Sequence, residues 1–75
     1  MEKRYKQEIE AFGKRLKELR EASGLSQLDL ELRSDINRTE ISRIENGLKN
    51  IEFFTMVRLA SALNVPIRDF FPEEK

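Results

Sequence analysis

The residues of this chain best suited to recognition chemistry lie on one short segment: Asn37, Arg38, Thr39, Glu40, Ser42 and Arg43. An arginine fork matches the two acceptors that guanine presents in a DNA major groove, and a glutamate can accept from cytosine N4. Glu40 reads equally well as the acid of a helix cap. Taken alone, Arg38 and Arg43 read as solvated charges on a helix face; the motif around them is what favours base or phosphate contact. Covalent and metal chemistry have no carriers. The 75 residues include no cysteine and no histidine, which removes thiolate nucleophiles, Cys/His zinc sites and Ser–His pairs. Asp69, Glu73 and Glu74 cluster near the end of the chain, where they read as solvating charge. No catalytic residue, metal, cofactor or small-molecule ligand is expected, and an enzyme is disfavoured.

Charge lends nucleic-acid binding no support. Fourteen cationic residues face fourteen acidic ones, for a net charge of zero, whereas a basic face is the usual footprint of phosphate contact. Segment 26–46 holds Arg33, Arg38 and Arg43 against Asp29, Glu31, Asp35, Glu40 and Glu45. Lys3, Arg4 and Lys6 read as a solvated helix start in preference to an arm on the DNA backbone. No apolar run approaches the roughly 20 residues that span a bilayer, and no signal-peptide pattern opens the chain. A single domain over 1–75, soluble and cytoplasmic, is the expectation.

The elements that position the polar segment follow from periodicity and capping. Tyr5, Ile9, Phe12, Leu16 and Leu19 share one helical face, closed by Ser23-Gly24. Ser26 caps a second helix, with Asp29 as a weaker capping-box acid. Arg33-Ser34-Asp35 ends it, Asp35 being able to take the left-handed conformation of a tight turn. Asn37 caps a third helix, with Glu40 placed for a second capping box, and Ile41 and Ile44 give the buried face. Asn46-Gly47 ends it, and 48–51 is a loop. A fourth helix runs over roughly 53–63 and stops at Asn64. Pro66 opens a short fifth helix from Ile67 to Phe71, followed by a frayed tail, 72–75. The class is all-α.

Two short helices joined by a tight turn, the second opening with polar side chains, form a helix-turn-helix. Its first helix braces across the backbone, and its second reads base edges. The stretch LKELREASGLSQLDL, followed by INRTEISRIENGLKN and VRLASALNV, resembles the Xre/Cro family of phage-repressor-like regulators over about residues 9–71. The Arg-Thr-Glu-Ile-Ser core is also similar to small restriction-modification controller proteins. The resemblance implies a compact five-helix, lambda-repressor-like domain, with the helix-turn-helix at about 26–46 and a dimerisation region at about 53–71. It implies a sequence-specific transcriptional regulator whose partner is double-stranded DNA. Arg38, Thr39 and Arg43 match base-contacting positions, and Ser26, Asn46 and Asn50 match phosphate-contacting ones. Gln27 matches a residue that holds a phosphate or the reader helix. Arg20 and Glu45 match a buried ion pair. Asn37, Glu40, Ser42 and Lys49 complete the candidate DNA surface.

Two departures stand out. Glu31 replaces the family's usual alanine, so Glu31→Ala is expected to raise stability modestly. Asp35 replaces a glycine in the turn. Leu28 and Leu32 are also more apolar than the family's outer brace surface. Of the pairs Phe53-Phe54 and Phe70-Phe71, one member each is expected in the core and the other partly exposed. A homodimer reading a pseudo-palindrome is expected, with an interface at Phe54, Val65, Ile67 and Phe70. The alternative is a protein-interaction or antitoxin-like module that keeps the fold with weak or lost DNA binding. The acidic balance of segment 26–46 and Glu31 support it.

Overall fold

The apolar stripe of the first helix meets the body of the protein only over its second half. In the computed structural model, which describes residues 1–72, helix α1 spans Glu2–Ala22. Phe12 and Leu16 are buried, while Tyr5, on the same stripe, is 49% exposed because the first turns run past the other helices. Gly24, at φ +73°, turns the chain out of α1, and the Leu25 N–H reaches back to the Arg20 carbonyl at 3.1 Å. Helix α2 covers Gln27–Ser34, α3 Arg38–Glu45 and α4 Phe53–Leu63. No strand occurs among the described residues, and none of their helices is long and apolar enough to cross a membrane.

The core is shared by every element: Phe12 and Leu16 from α1, Leu30 from α2, Ile41 and Ile44 from α3, and Leu59 and Leu63 from α4. Ile36 enters it from the turn between α2 and α3. Helices α1 and α3 meet backbone to backbone at Gly13. A Cβ there would lie 2.9 Å from the Glu45 carbonyl oxygen and closer still to that of Ile44. The absence of a side chain at residue 13 sets how near α3 can sit.

The last element departs from expectation. Instead of a fifth α-helix reaching Phe71, residues Ile67–Phe70 form a single 3-10 turn, so the described residues form four α-helices and one 3-10 helix. Four residues are too few for an α-helical ladder, and the Asp69 N–H bonds instead to the Pro66 carbonyl at 3.0 Å. Arg15 Nε donates to the Asp69 carbonyl at 2.7 Å and ties this turn to α1. Phe70 is 2% exposed, its ring 4.8 Å from that of Phe12. It fills the core and is not available to an interface.

Phe71 stands outside, as one member of its pair should, but Phe53 and Phe54 are both about two-thirds exposed. The inward face of α4 runs through Met56, Leu59, Ala60 and Leu63; Phe54 falls on the opposite side, and Phe53 stands at the very start of the helix. Glu73, Glu74 and the last part of the tail lie outside the described residues.

Candidate nucleic-acid interface

The turn between α2 and α3 is built from local bonds and one distant side chain. Ser26 and Asp29 cap α2 reciprocally: the Asp29 N–H donates to Ser26 Oγ at 3.0 Å, and the Ser26 N–H to the Asp29 carboxylate at 2.9 Å. Those donors from Ser26 hold the Asp29 carboxyl below its ordinary pKa. Asp35 takes the left-handed conformation, φ 61° and ψ 29°, and its N–H bonds to the Glu31 carbonyl at 2.8 Å. The Ser34 hydroxyl accepts from the Ile36 N–H at 3.1 Å. Arg58 reaches over from α4, and its Nη2 donates to the carbonyls of Ser34 at 2.7 Å and Asp35 at 3.0 Å. The same nitrogen lies 3.6 Å from the Asp35 carboxylate, and the guanidinium sits 5.5 Å from the Phe54 ring centre.

The start of α3 is capped differently from its sequence pattern. Asn37 Oδ1 accepts from the Thr39 N–H at 2.7 Å. The first helical N–H, that of Arg38, goes to the Glu31 carboxylate at 3.2 Å, across the turn from α2. The capping box between Asn37 and Glu40 does not form; Glu31 instead supplies a second cap, on the N–H of Arg38 and not on that of Asn37. This also answers how Glu31 is accommodated in place of alanine: it bonds to the start of α3. The expected gain from Glu31→Ala is reversed, since the substitution removes a cap.

At its other end α3 is anchored by charge. Arg20 and Glu45 form a two-point pair, Nε to Oε2 at 2.6 Å and Nη2 to Oε1 at 3.0 Å, with side chains only 9% and 2% exposed. Arg20 Nη1 also donates to the Leu25 carbonyl at 2.8 Å, and Gln27 Nε2 to Glu45 Oε1 at 3.0 Å. The Glu45 hydrogen bond raises the Arg20 pKa against the opposing effect of burial. Gln27 thus binds the reader helix through its side-chain amide. No buried side-chain nitrogen or oxygen among the described residues lacks a partner.

Between these anchors α3 turns a polar face outward. Arg38, Thr39 and Arg43 are exposed, with Asn46 and Asn50 beyond them, and Ser42 and Lys49 are half-buried. Asn37, Thr39, Glu40, Arg43 and Lys49 line a shallow hollow of about 250 Å³. Arg38, Arg43 and Lys49 form no salt bridge among the described residues. The acids of segment 26–46 are mostly engaged internally: Glu45 with Arg20, Asp29 and Glu31 with backbone N–H groups, and Asp35 near Arg58. Only Glu40 is left on the α3 face without such a bond. Of these acids only Glu45 is buried against a cation; Asp29 and Asp35 remain on the surface.

Arg58 and Gly13 are the residues that sequence reasoning missed. Arg58 is the one charged residue in α4, and an isolated charge in an apolar helix was the available signal. Gly13 is a glycine in the middle of a helix, where it is costly unless another backbone comes close.

A helix-turn-helix family model matches residues 16–70. The chain is 33% identical to the control protein C.MunI from Mycoplasma sp over 83% of this chain and 85% of that one. It is 34% identical to the control protein C.BamHI from Bacillus amyloliquefaciens, over 77% and 73% respectively. It is 39% identical to the HTH-type transcriptional repressor RghR from Bacillus subtilis (strain 168), covering 77% of this chain but 44% of the repressor. Its fold is similar to the crystal structure of the restriction-modification controller protein C.AhdI from Aeromonas hydrophila, with a TM-score of 0.82. The two are 38% identical, over 84% of this chain and 96% of that one.

Proposed function

This chain belongs to the helix-turn-helix family of DNA-binding regulators, and from that membership we propose that it binds a pseudo-palindromic operator as a homodimer, laying α3 of each copy in the major groove. The outward face of α3 carries the reading. Arg38, Thr39 and Arg43 stand exposed on it, with neither arginine in a salt bridge among the described residues. The helix behind them is held at both ends by bonds that leave those side chains free. Arg38 and Arg43 suit guanine edges, and Glu40 suits cytosine N4. Ser26, Asn46, Lys49 and Asn50 flank the reader as phosphate contacts, while Asn37 shapes its first turn.

Pairing of two copies is supported by the outer surface of α4, where Phe53, Phe54 and Val57 project from the body. Val65 and Ile67, half-buried beyond the helix end, extend the candidate interface. Two readers about 34 Å apart, one turn of DNA, would meet two half-sites. Relatives named as control proteins and as a restriction-modification controller support the genes of such a system as targets.

The test is binding to DNA from immediately upstream of the protein's own gene, against scrambled duplex, at two salt concentrations. Preferential binding that weakens with salt is expected. Equal affinity for both duplexes at both salts would overturn the proposal.

A further inference from the structure

We propose that Arg58 is a positioning residue for base reading: from α4 it fixes the turn between α2 and α3, and with it the angle at which α3 meets DNA. The inference rests on the reading of α3 as the DNA reader. Among the described residues, Arg58 is the only side chain outside 26–46 that bonds to this turn. It grips two successive carbonyls, those of Ser34 and Asp35, through one nitrogen. Asp35 has a positive φ that a residue with a Cβ adopts at a cost. The Ser34 hydroxyl bonds within the turn and ties it to nothing else.

The mechanical consequence follows from where α3 is held. Its C-terminal end is fixed by the Arg20–Glu45 pair and by the close approach at Gly13. Its N-terminal end, which carries Arg38 and Thr39, is held by the burial of Ile36 and Ile41, and its angle is set by the turn and the Glu31 cap. A helix of 8 residues is roughly 12 Å long at 1.5 Å per residue. Released at the turn, it pivots about its far end and moves the base-reading groups most. A shift of about 1 Å takes a hydrogen bond out of range. Phe54 supports the guanidinium from α4, so the surface proposed for pairing and the turn share one side chain.

The test compares wild type, Arg58→Met and Arg58→Lys as full chains. Without DNA, amide hydrogen exchange is followed at residues 36–39 and in the core, together with thermal melting. With DNA, binding to the operator and to random duplex is measured at several salt concentrations. Arg58→Met is expected to remain folded at the assay temperature, with faster exchange at 36–39 and unchanged exchange at Leu16 and Ile44. Operator affinity should fall roughly tenfold, the scale of losing hydrogen bonds from a charged donor, with random-duplex affinity and the salt slope preserved. Arg58→Lys, which keeps a cationic donor, should recover most of the loss.

Equal loss on both duplexes in step with the unfolded fraction would make Arg58 merely structural and overturn the proposal. A salt slope reduced by about one would make it a direct phosphate contact, with the same consequence. If Arg58→Met does not fold, Arg58→Gln takes its place in every comparison. If wild type shows no sequence preference, the DNA-reading proposal fails by itself. Exchange at 36–39 then decides the turn's dependence on Arg58, and unchanged exchange overturns it.

Discussion

Gly13 and Ile44 touch through their backbones: the Ile44 carbonyl lies against the Cα of Gly13, with no side chain between α1 and the end of α3. A methyl group at residue 13 cannot rotate away from a carbonyl, so α3 must move. Gly13→Ala should therefore destabilise the domain by about 1–2 kcal/mol, even though alanine favours the helix by about 1 kcal/mol. Thermal unfolding checks this as a fall in Tm of roughly 4–8 °C per kcal/mol. An unchanged or raised Tm would show that the two backbones have room to separate.

The Arg20–Glu45 pair should behave as a buried pair. Arg20→Ala or Glu45→Ala leaves the other charge without its partner, and a loss on the order of 3–5 kcal/mol follows for near-complete burial. Each variant also loses one further bond, Gln27 to Glu45 in Glu45→Ala and Arg20 to the Leu25 carbonyl in Arg20→Ala, so the two losses should be of similar size. Urea denaturation of both variants tests the size, and a loss below about 1 kcal/mol in either would show that the pair is not a buried one.

Glu31→Ala should lower stability by about 0.5–1 kcal/mol, the lower part of the range for losing a helix cap, because the Arg38 N–H is exposed enough for water to replace the carboxylate. Glu31→Gln, which keeps an acceptor oxygen, should lose less. Stabilisation by Glu31→Ala would show that the cap contributes nothing.

For the reader face, Arg38→Ala and Arg43→Ala should each weaken operator binding by about 1–3 kcal/mol and relax preference at one base position. Circular dichroism and melting should be unchanged, since neither side chain is in a salt bridge among the described residues. Wild-type operator affinity in both variants would remove α3 from the role of reader.

Pairing through α4 is tested better at Phe53 than at Phe54, because a charge at residue 54 would meet Arg58. Phe53→Asp should give a monomer at micromolar concentration, with helicity kept and operator affinity reduced. Sedimentation that leaves the variant dimeric would place the interface elsewhere.

Elements set by local chemistry were legible in the sequence. Ser26 with Asp29, Asp35 in the turn and Gly24 at the end of α1 each act within a few residues of where they stand. Arg20 and Glu45, paired by family resemblance, lie against each other. What escaped depends on distances between helices. Glu40 has the spacing of a cap acid but makes no such bond, and the packing of α2 on α3 brings Glu31 to a different donor, the Arg38 N–H. Gly13 and Arg58 acquire their roles only when another element arrives. Phe53 and Phe54 look like core by composition; Phe54 is outside because of the angular phase of α4, and Phe53 because it is the helix's first residue.

The bond from Glu31 to Arg38 has a consequence for redesign. Transplanting residues 38–45 into a related scaffold to change its operator would leave the helix's first contact behind, since the cap resides in the brace. A host with alanine at the equivalent of residue 31 would receive the reading side chains on a helix whose opening turn is loose. A transferable recognition unit therefore has to include the brace residue along with the reader.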